Sequence, residues 1–168
     1  MLIEELRTYI GTKGTVSRSC EAVEAGAIRR FMQATLDQQR IAGFGGLENP
    51  PTVAPPLFPI VMFQPDLAAP DMLSDGADNP DFDGLNLTDA TGLPDLPLGG
   101  MAMLNGGIDV EFYRYPQIGD VVERQSHYAD IFEKQSSKGR LIFVVTETVY
   151  RTTSGDLLMI FRQHDIRR

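Results

Sequence analysis

The stretch Arg140-Leu-Ile-Phe-Val-Val-Thr-Glu-Thr-Val-Tyr-Arg151 decides how this chain folds. It is dense in β-branched and aromatic residues, which fit a pleated, half-buried surface, and it reads as a strand. Working outward, Gln135-Ser-Ser-Lys-Gly139 turns the chain on one side and Thr152-Thr-Ser-Gly-Asp156 on the other. Strands are therefore predicted over 120–134 and 157–166. Further upstream Pro116-Gln-Ile-Gly119 makes another turn. Before it, Ile108, Val110 and Phe112 alternate with Asp109, Glu111 and Tyr113, the period-2 pattern of a half-buried strand. Short turns between four strands predict an antiparallel meander. Strands of about 10–13 residues exceed the usual 5–6, so the sheet must twist and curl around a filler. A helix from the first half laid on one face would supply it, giving an α+β architecture.

The first half is less regular. Leu2, Ile3, Leu6 and Ile10 stand at helical spacing before Gly11 and Gly14. A weak strand pattern covers 17–23. The best helix is predicted over 25–41, with Ala27, Ile28, Phe31, Met32 and Thr35 on one side and Arg29, Arg30, Gln33 and Gln38 facing away. Gly43 ends it, and the prolines of 49–59 forbid a helix interior or a central strand. Residues 64–100 are rich in Asp, Pro and Gly and read as a long insertion, functional or mobile, within one domain spanning 1–168. A short helix is expected near 101–104.

With 168 residues the chain suits one domain that can bury a core of its own. The net charge of −8 is uneven. Residues 1–100 hold 14 acidic and 6 basic side chains, 101–168 hold 9 of each, and no basic residue stands between Arg40 and Arg114. A phosphate backbone needs a basic face, so nucleic acid is not an expected partner. The longest bulky apolar run, Leu57 to Phe63, is broken by Pro59, so no membrane span is expected. The acidic start Met1-Leu-Ile-Glu-Glu-Leu is unlike a signal peptide, and with the single Cys20 it points to a cytoplasmic location without disulfides.

Candidate chemistry is sparse. His127 and His164 are the only histidines, and both fall in strands as exposed side chains. No Gly-x-Ser-x-Gly, P-loop, dinucleotide fingerprint or metal-ligand spacing occurs, so neither metal nor cofactor is expected. Asp75, Asp78, Asp81 and Asp83 lack the spacing of a calcium loop. Asp37 stands near the end of the best predicted helix: it is either a solvated carboxylate or, partly buried with a raised pKa, a general base.

Four stretches together resemble the N-terminal-type MaoC-like dehydratases (FAS1-like), hot-dog domains that handle acyl thioesters. They are 21–37, Val53-Ala-Pro-Pro-Leu-Phe-Pro59, Val110-Glu-Phe-Tyr-Arg-Tyr-Pro-Gln-Ile-Gly-Asp120, and Phe143 to Asp156. The resemblance implies a hot-dog fold, an antiparallel sheet wrapped around a central helix drawn from 64–104, paired with a second hot dog. The family's hydratases use an aspartate followed five positions later by a histidine. Asp37 matches the aspartate, but Ala42 stands at the histidine position, and Leu57 rather than histidine precedes Phe58-Pro59. The implied role is the non-catalytic, substrate-binding half of an enoyl-thioester hydratase or 3-hydroxyacyl-thioester dehydratase acting on acyl-CoA or acyl carrier substrates. On that reading Phe58, Met62 and Phe63 line the acyl pocket unless they are plain core. Arg114 meets a carrier phosphate unless it is a surface arginine. A homodimeric thioesterase working with a lone carboxylate, Asp37 or one of Asp66 to Asp95, is the alternative, and a non-enzymatic thioester-binding hot dog is a third. An open edge of long strands invites a homodimer or a heterodimer with a catalytic hot-dog subunit.

Overall fold

The computed structural model describes residues 2–36, 51–63, 77–78, 91–137 and 139–168. Helix α1 (Leu2–Arg7) opens the chain, strand β1 (Ser17–Arg18) is short, and helix α2 (Ala25–Ala34) follows. A 3-10 helix at Phe58–Met62 precedes β2 (Met103–Phe112), β3 (Val122–Ser136), β4 (Gly139–Thr152) and β5 (Leu157–Arg167).

The five strands form one antiparallel sheet in the order β1-β3-β4-β5-β2. The β3–β4 and β4–β5 turns are hairpins as the sequence predicts. The meander is corrected at its first strand: β2 pairs with β5 rather than β3. Segment 113–121 therefore crosses the sheet over three strand spacings, about 14 Å. It is anchored on the way, since the Tyr113 and Arg114 amides both donate to the Leu158 carbonyl. Bulges at Tyr128/Asp130, Tyr150/Arg151 and Asn105/Gly107 add twist and let the long strands curl.

The short helix expected near 101–104 is replaced by the start of β2. Gly106 and Gly107 lie at the bulge and do not stop a helix. A Cβ at Gly106 would lie 2.9 Å from the His164 carbonyl oxygen, so this close strand approach needs glycine.

Helix α2 ends at Ala34, earlier than its apolar spacing suggests. The Thr35 hydroxyl bonds back to the Phe31 carbonyl and Leu36 takes a left-handed φ of 54°, which stops the helix. The rest of the predicted 25–41 helix lies outside the described residues, as does most of the segment expected to hold the central helix. The described part of that segment from 93 to 102 is not helical. Helix α2 is not the filler of the sheet either. Its Ile28 and Met32 pack with Val23, Ala54 and Phe58, on the proline-rich segment.

Two apolar clusters grip opposite ends of the sheet's inner face. At one end Leu6 of α1 joins Leu93, Leu98, Tyr128, Ile131, Ile142 and Val144. At the other, Val122, Tyr150, Leu158 and Met159 are covered by Ile60, Met62 and Phe63 of the 58–63 turn. Burying a side chain such as Ile142 contributes about 1.5–3 kcal/mol. The two clusters therefore hold the inner face from both ends. Among the described residues no helix is long and apolar enough to cross a membrane.

Candidate functional site

Among the described residues, a cavity of about 570 Å³ lies between the apolar ends. Its walls come from Ile60 on one side and from Thr91, Leu93, Asp95, Leu96 and Leu98 on the other. Its floor is the middle of the inner sheet face. Strand alternation brings Arg124 and Ser126 of β3, Thr146 and Thr148 of β4, and Gln163 and Asp165 of β5 to that side. The approach of Thr91 depends on paired glycines. A Cβ at Gly14 would sit 2.3 Å from the Thr91 carbonyl oxygen, and one at Gly92 (φ +63°) 2.4 Å from Thr15 Oγ1.

The floor is strongly polar. Ser126 and Thr148 share a buried hydrogen bond of 2.8 Å across the β3–β4 pair. Gln163 Nε2 donates to Asp165 Oδ1 at 2.9 Å. The Tyr128 hydroxyl donates to the Pro94 carbonyl at 2.8 Å. Burial first, then the Asp95 carboxylate, push that phenol up to about 12. Tyr150 is also raised by burial, and the Arg124 guanidinium beside it opposes the shift. Arg167 completes the floor, and its buried Nε has no hydrogen-bond partner among the described residues.

The residues singled out from the sequence fall in different places. Phe58 is 3% exposed and meets the Phe31 ring edge-on at 5.6 Å, inside the cluster under α2. Met62 packs against that cluster and against the Tyr150 end of the sheet. Phe63 meets Tyr150 edge-on at 5.9 Å, with the Arg124 guanidinium 4.2 Å from its ring centroid. None of the three lines the cavity; their neighbour Ile60 does. Arg114 is held by Asp120 at 2.8 and 3.4 Å, and Asp120 also accepts the Gln117 amide, so the arginine braces the turn before β3. Asp37 and Ala42 lie outside the described residues.

Both histidines stand on the opposite, outer sheet face. His164 Nε2 is 2.9 Å from Asp109 and His127 Nε2 is 3.8 Å from Glu147. Arg162 bonds to both Glu147 and Glu111, tying β4, β5 and β2 together. The guanidinium, and next the Tyr113 hydroxyl, hold the Glu111 carboxyl below the usual range, while Tyr113 and Arg162 are raised by the same contacts. Among the described residues no group of three or more His, Cys, Asp and Glu side chains is placed to hold a metal ion.

Residues 10–161 match the family described as FAS1-like, dehydratase domain region. The chain belongs to that family. Among solved structures, this FAS1-like dehydratase-region chain is similar to the ChsH1-ChsH2 complex from Mycobacterium tuberculosis. That similarity has a TM-score of 0.61 and 16% identity, over 99% of this chain and 88% of the other. A MaoC-like dehydratase from Rhodospirillum rubrum is similar at TM-score 0.55 and 16% identity, over 100% and 98%. The R-hydratase PhaJ1 from Pseudomonas aeruginosa gives 0.50 and 10%, over 94% and 81%. No curated protein matches the sequence. The fold is thus the α+β hot dog that the sequence resemblance implies, and the family is the MaoC-like dehydratase region.

The cavity floor escapes a reading by residue type, because Arg124, Gln163 and Asp165 look like solvent-facing strand residues. Parity would have found them: Gln163 pairs with Thr146 and Asp165 with Val144, on the side of Ile142 and Tyr150.

Proposed function

We propose that this chain is the substrate-binding, non-catalytic half of a cytoplasmic enoyl-thioester hydratase or 3-hydroxyacyl-thioester dehydratase. Its substrates would be acyl-CoA or acyl carrier thioesters. Membership of the dehydratase family supports the reaction class. The observation that carries the accessory role is Ala42 five positions after Asp37, where the family's hydratases place the histidine that works with the aspartate. His127 and His164 do not substitute for it at the cavity, since both are engaged on the outer face by Glu147 and Asp109.

The chemistry then requires an imidazole from elsewhere. Adding water across an α,β-unsaturated thioester needs a base to take the water proton and an acid to deliver one to the α-carbon. A partner hot dog carrying the aspartate–histidine pair would supply both, while this chain shapes the acyl pocket. The ChsH1-ChsH2 relative is itself described as a complex of two components, in keeping with such a partner.

Strand β2 is where that partner would dock. Among the described residues it lies at the end of the sheet, with β5 as its one neighbour. Its sequence Met-Leu-Asn-Gly-Gly-Ile-Asp-Val-Glu-Phe has none of the lysines or prolines that commonly blunt an edge. Leu104, Ile108 and Phe112 are all exposed along it. The opposite edge is covered: β1 pairs with β3, and the Gly11 and Gly14 amides bond to β3 carbonyls.

The test is to assay crotonyl-type thioester hydration by the purified chain, alone and mixed with a hot dog encoded nearby that holds an intact aspartate–histidine pair. Hydration only in the mixture is expected. Release of free thiol by the chain alone, without hydration product, would instead favour a thioesterase.

A further inference from the structure

We infer that the outer face of the sheet, at the end where the β3–β4 hairpin turns, packs against the same face of a second copy of this chain. Ile131, Ile142 and Val144 belong to the inner core and Arg167 borders the cavity, so strand alternation turns Phe132, Phe143 and Ile166 outward. The register carries this line on to β2: Phe132 pairs with Phe143, Phe143 with Ile166, and Ile166 with Leu104. One apolar side chain from each of four strands therefore lies in a single row across the sheet, about 14 Å long. The Phe132 and Phe143 rings stack at 4.9 Å and 3°, and Leu104 is 40% exposed. Among the described residues the row belongs to none of the three apolar clusters. The middle of the outer face is laced with ion pairs, so the row is a contiguous apolar patch on an otherwise charged surface.

Charge on either side of the row makes it self-complementary. Toward the hairpin turn stand Lys134, its register partner Leu141, and Arg168, which exchanges backbone hydrogen bonds with Ala102. The Lys134 ammonium sits at the rim of the stack, 5.3 and 5.0 Å from the two ring centroids. On the other side stand the exposed Asp130, its register partner Val145, and His164, whose Nε2 is 2.9 Å from Asp109. A two-fold axis lying along the row sets each copy's row on the other's, and the cationic side of one on the acidic side of the other. Lys134 then meets Asp130 of the second copy, Leu141 meets Val145, and Arg168 meets the His164–Asp109 pair. Each contact occurs twice, as an isologous interface requires. An axis along the strands would instead lay Lys134 on Ala102 and Arg168 on Leu141, leaving both cations without an acid. Two sheets facing each other at about 10 Å with their strands roughly aligned is an ordinary packing.

The contact does not depend on the thioester reading, and Lys134 and Asp130 lie on β3, three strands away from the β2 edge. The experiment is sedimentation velocity of the full chain at high micromolar concentration. Wild type is compared with Lys134→Glu, with Asp130→Lys and with the double reversal Lys134→Glu/Asp130→Lys. The wild type is expected at double the mass of either single variant. Each single change should weaken the pairing roughly 10-fold or more, because like charges then face each other at both ends of the contact. The double reversal restores opposite charges and should regain the wild-type mass. Both side chains are exposed, and an unchanged thermal midpoint checks that the fold survives each change. Single variants that run at the wild-type mass overturn the inference, and so does a double variant that stays small.

Discussion

The ends and the middle of the inner sheet face are made by the same strands at the same alternation, yet they do different work. At the ends, Ile142 and Ile131 against Leu6, and Leu158 and Met159 against the 58–63 turn, are buried apolar side chains that hold the fold. In the middle the inward positions hold Arg124, Ser126, Thr146, Thr148 and Gln163 around a cavity. Period-2 patterning thus fixes which side a residue faces. Whether such a position packs against apolar side chains or borders the cavity depends, among the described residues, on what lies over it.

The largest break in that contrast should come at the ends. Ile142→Ala removes a fully buried side chain beside Leu6 and should cost about 2–5 kcal/mol, read as a fall in the urea midpoint at unchanged slope. A cost under 1 kcal/mol would show that this end is not core. In the middle, Thr148→Val keeps the shape but strands the Ser126 hydroxyl, for an expected cost of about 1–3 kcal/mol. The double variant Ser126→Ala/Thr148→Val should recover much of that loss. Equal stability of the single and double variants would contradict the pairing.

Outside this contrast, Ile108→Lys at the open β2 edge should leave the thermal midpoint nearly unchanged but weaken association with the partner, measured by light scattering. Unaltered association would move the docking surface elsewhere. A smaller effect is expected at high pH. Tyr128 keeps its proton up to about 12, so its contribution is complete below the ordinary tyrosine value of 10.0 and is lost as pH rises from there through about 12. Tyr128→Phe should flatten that part of the stability profile. The smallest effect lies on the outer face. Glu111 is depressed by Arg162, so its contribution is present above the ordinary glutamate value of 4.5 and fades as pH falls through its lower folded value. Glu111→Gln should remove that acid-side slope.

The sequence made the β3, β4 and β5 hairpins legible because Gln135 to Gly139 and Thr152 to Asp156 are local turn signals between long alternating runs. The partner of β2 was not legible. Pairing across more than forty residues leaves no local mark, and Gly106 reads as a breaker until His164 is seen against it. The apolar spacing of α2 makes Ile28 and Met32 legible as its buried side, but nothing local marks the proline-rich segment they pack on. That Ala42 rather than a histidine stands five positions after Asp37 carries meaning only through the family resemblance, and both residues lie outside the described residues. The polar floor was not legible, because Thr146 and Thr148 satisfy strand propensity equally well facing a cavity or a core.

The central claim is that this hot dog depends on another chain's imidazole. The most direct measurement is the rate of crotonyl-CoA hydration by the purified chain, by the partner and by their mixture, each with wild-type or Asp37→Ala protein. The account predicts no turnover by this chain alone and turnover in the mixture that survives Asp37→Ala. Robust hydration by the isolated chain, abolished by Asp37→Ala, would contradict it.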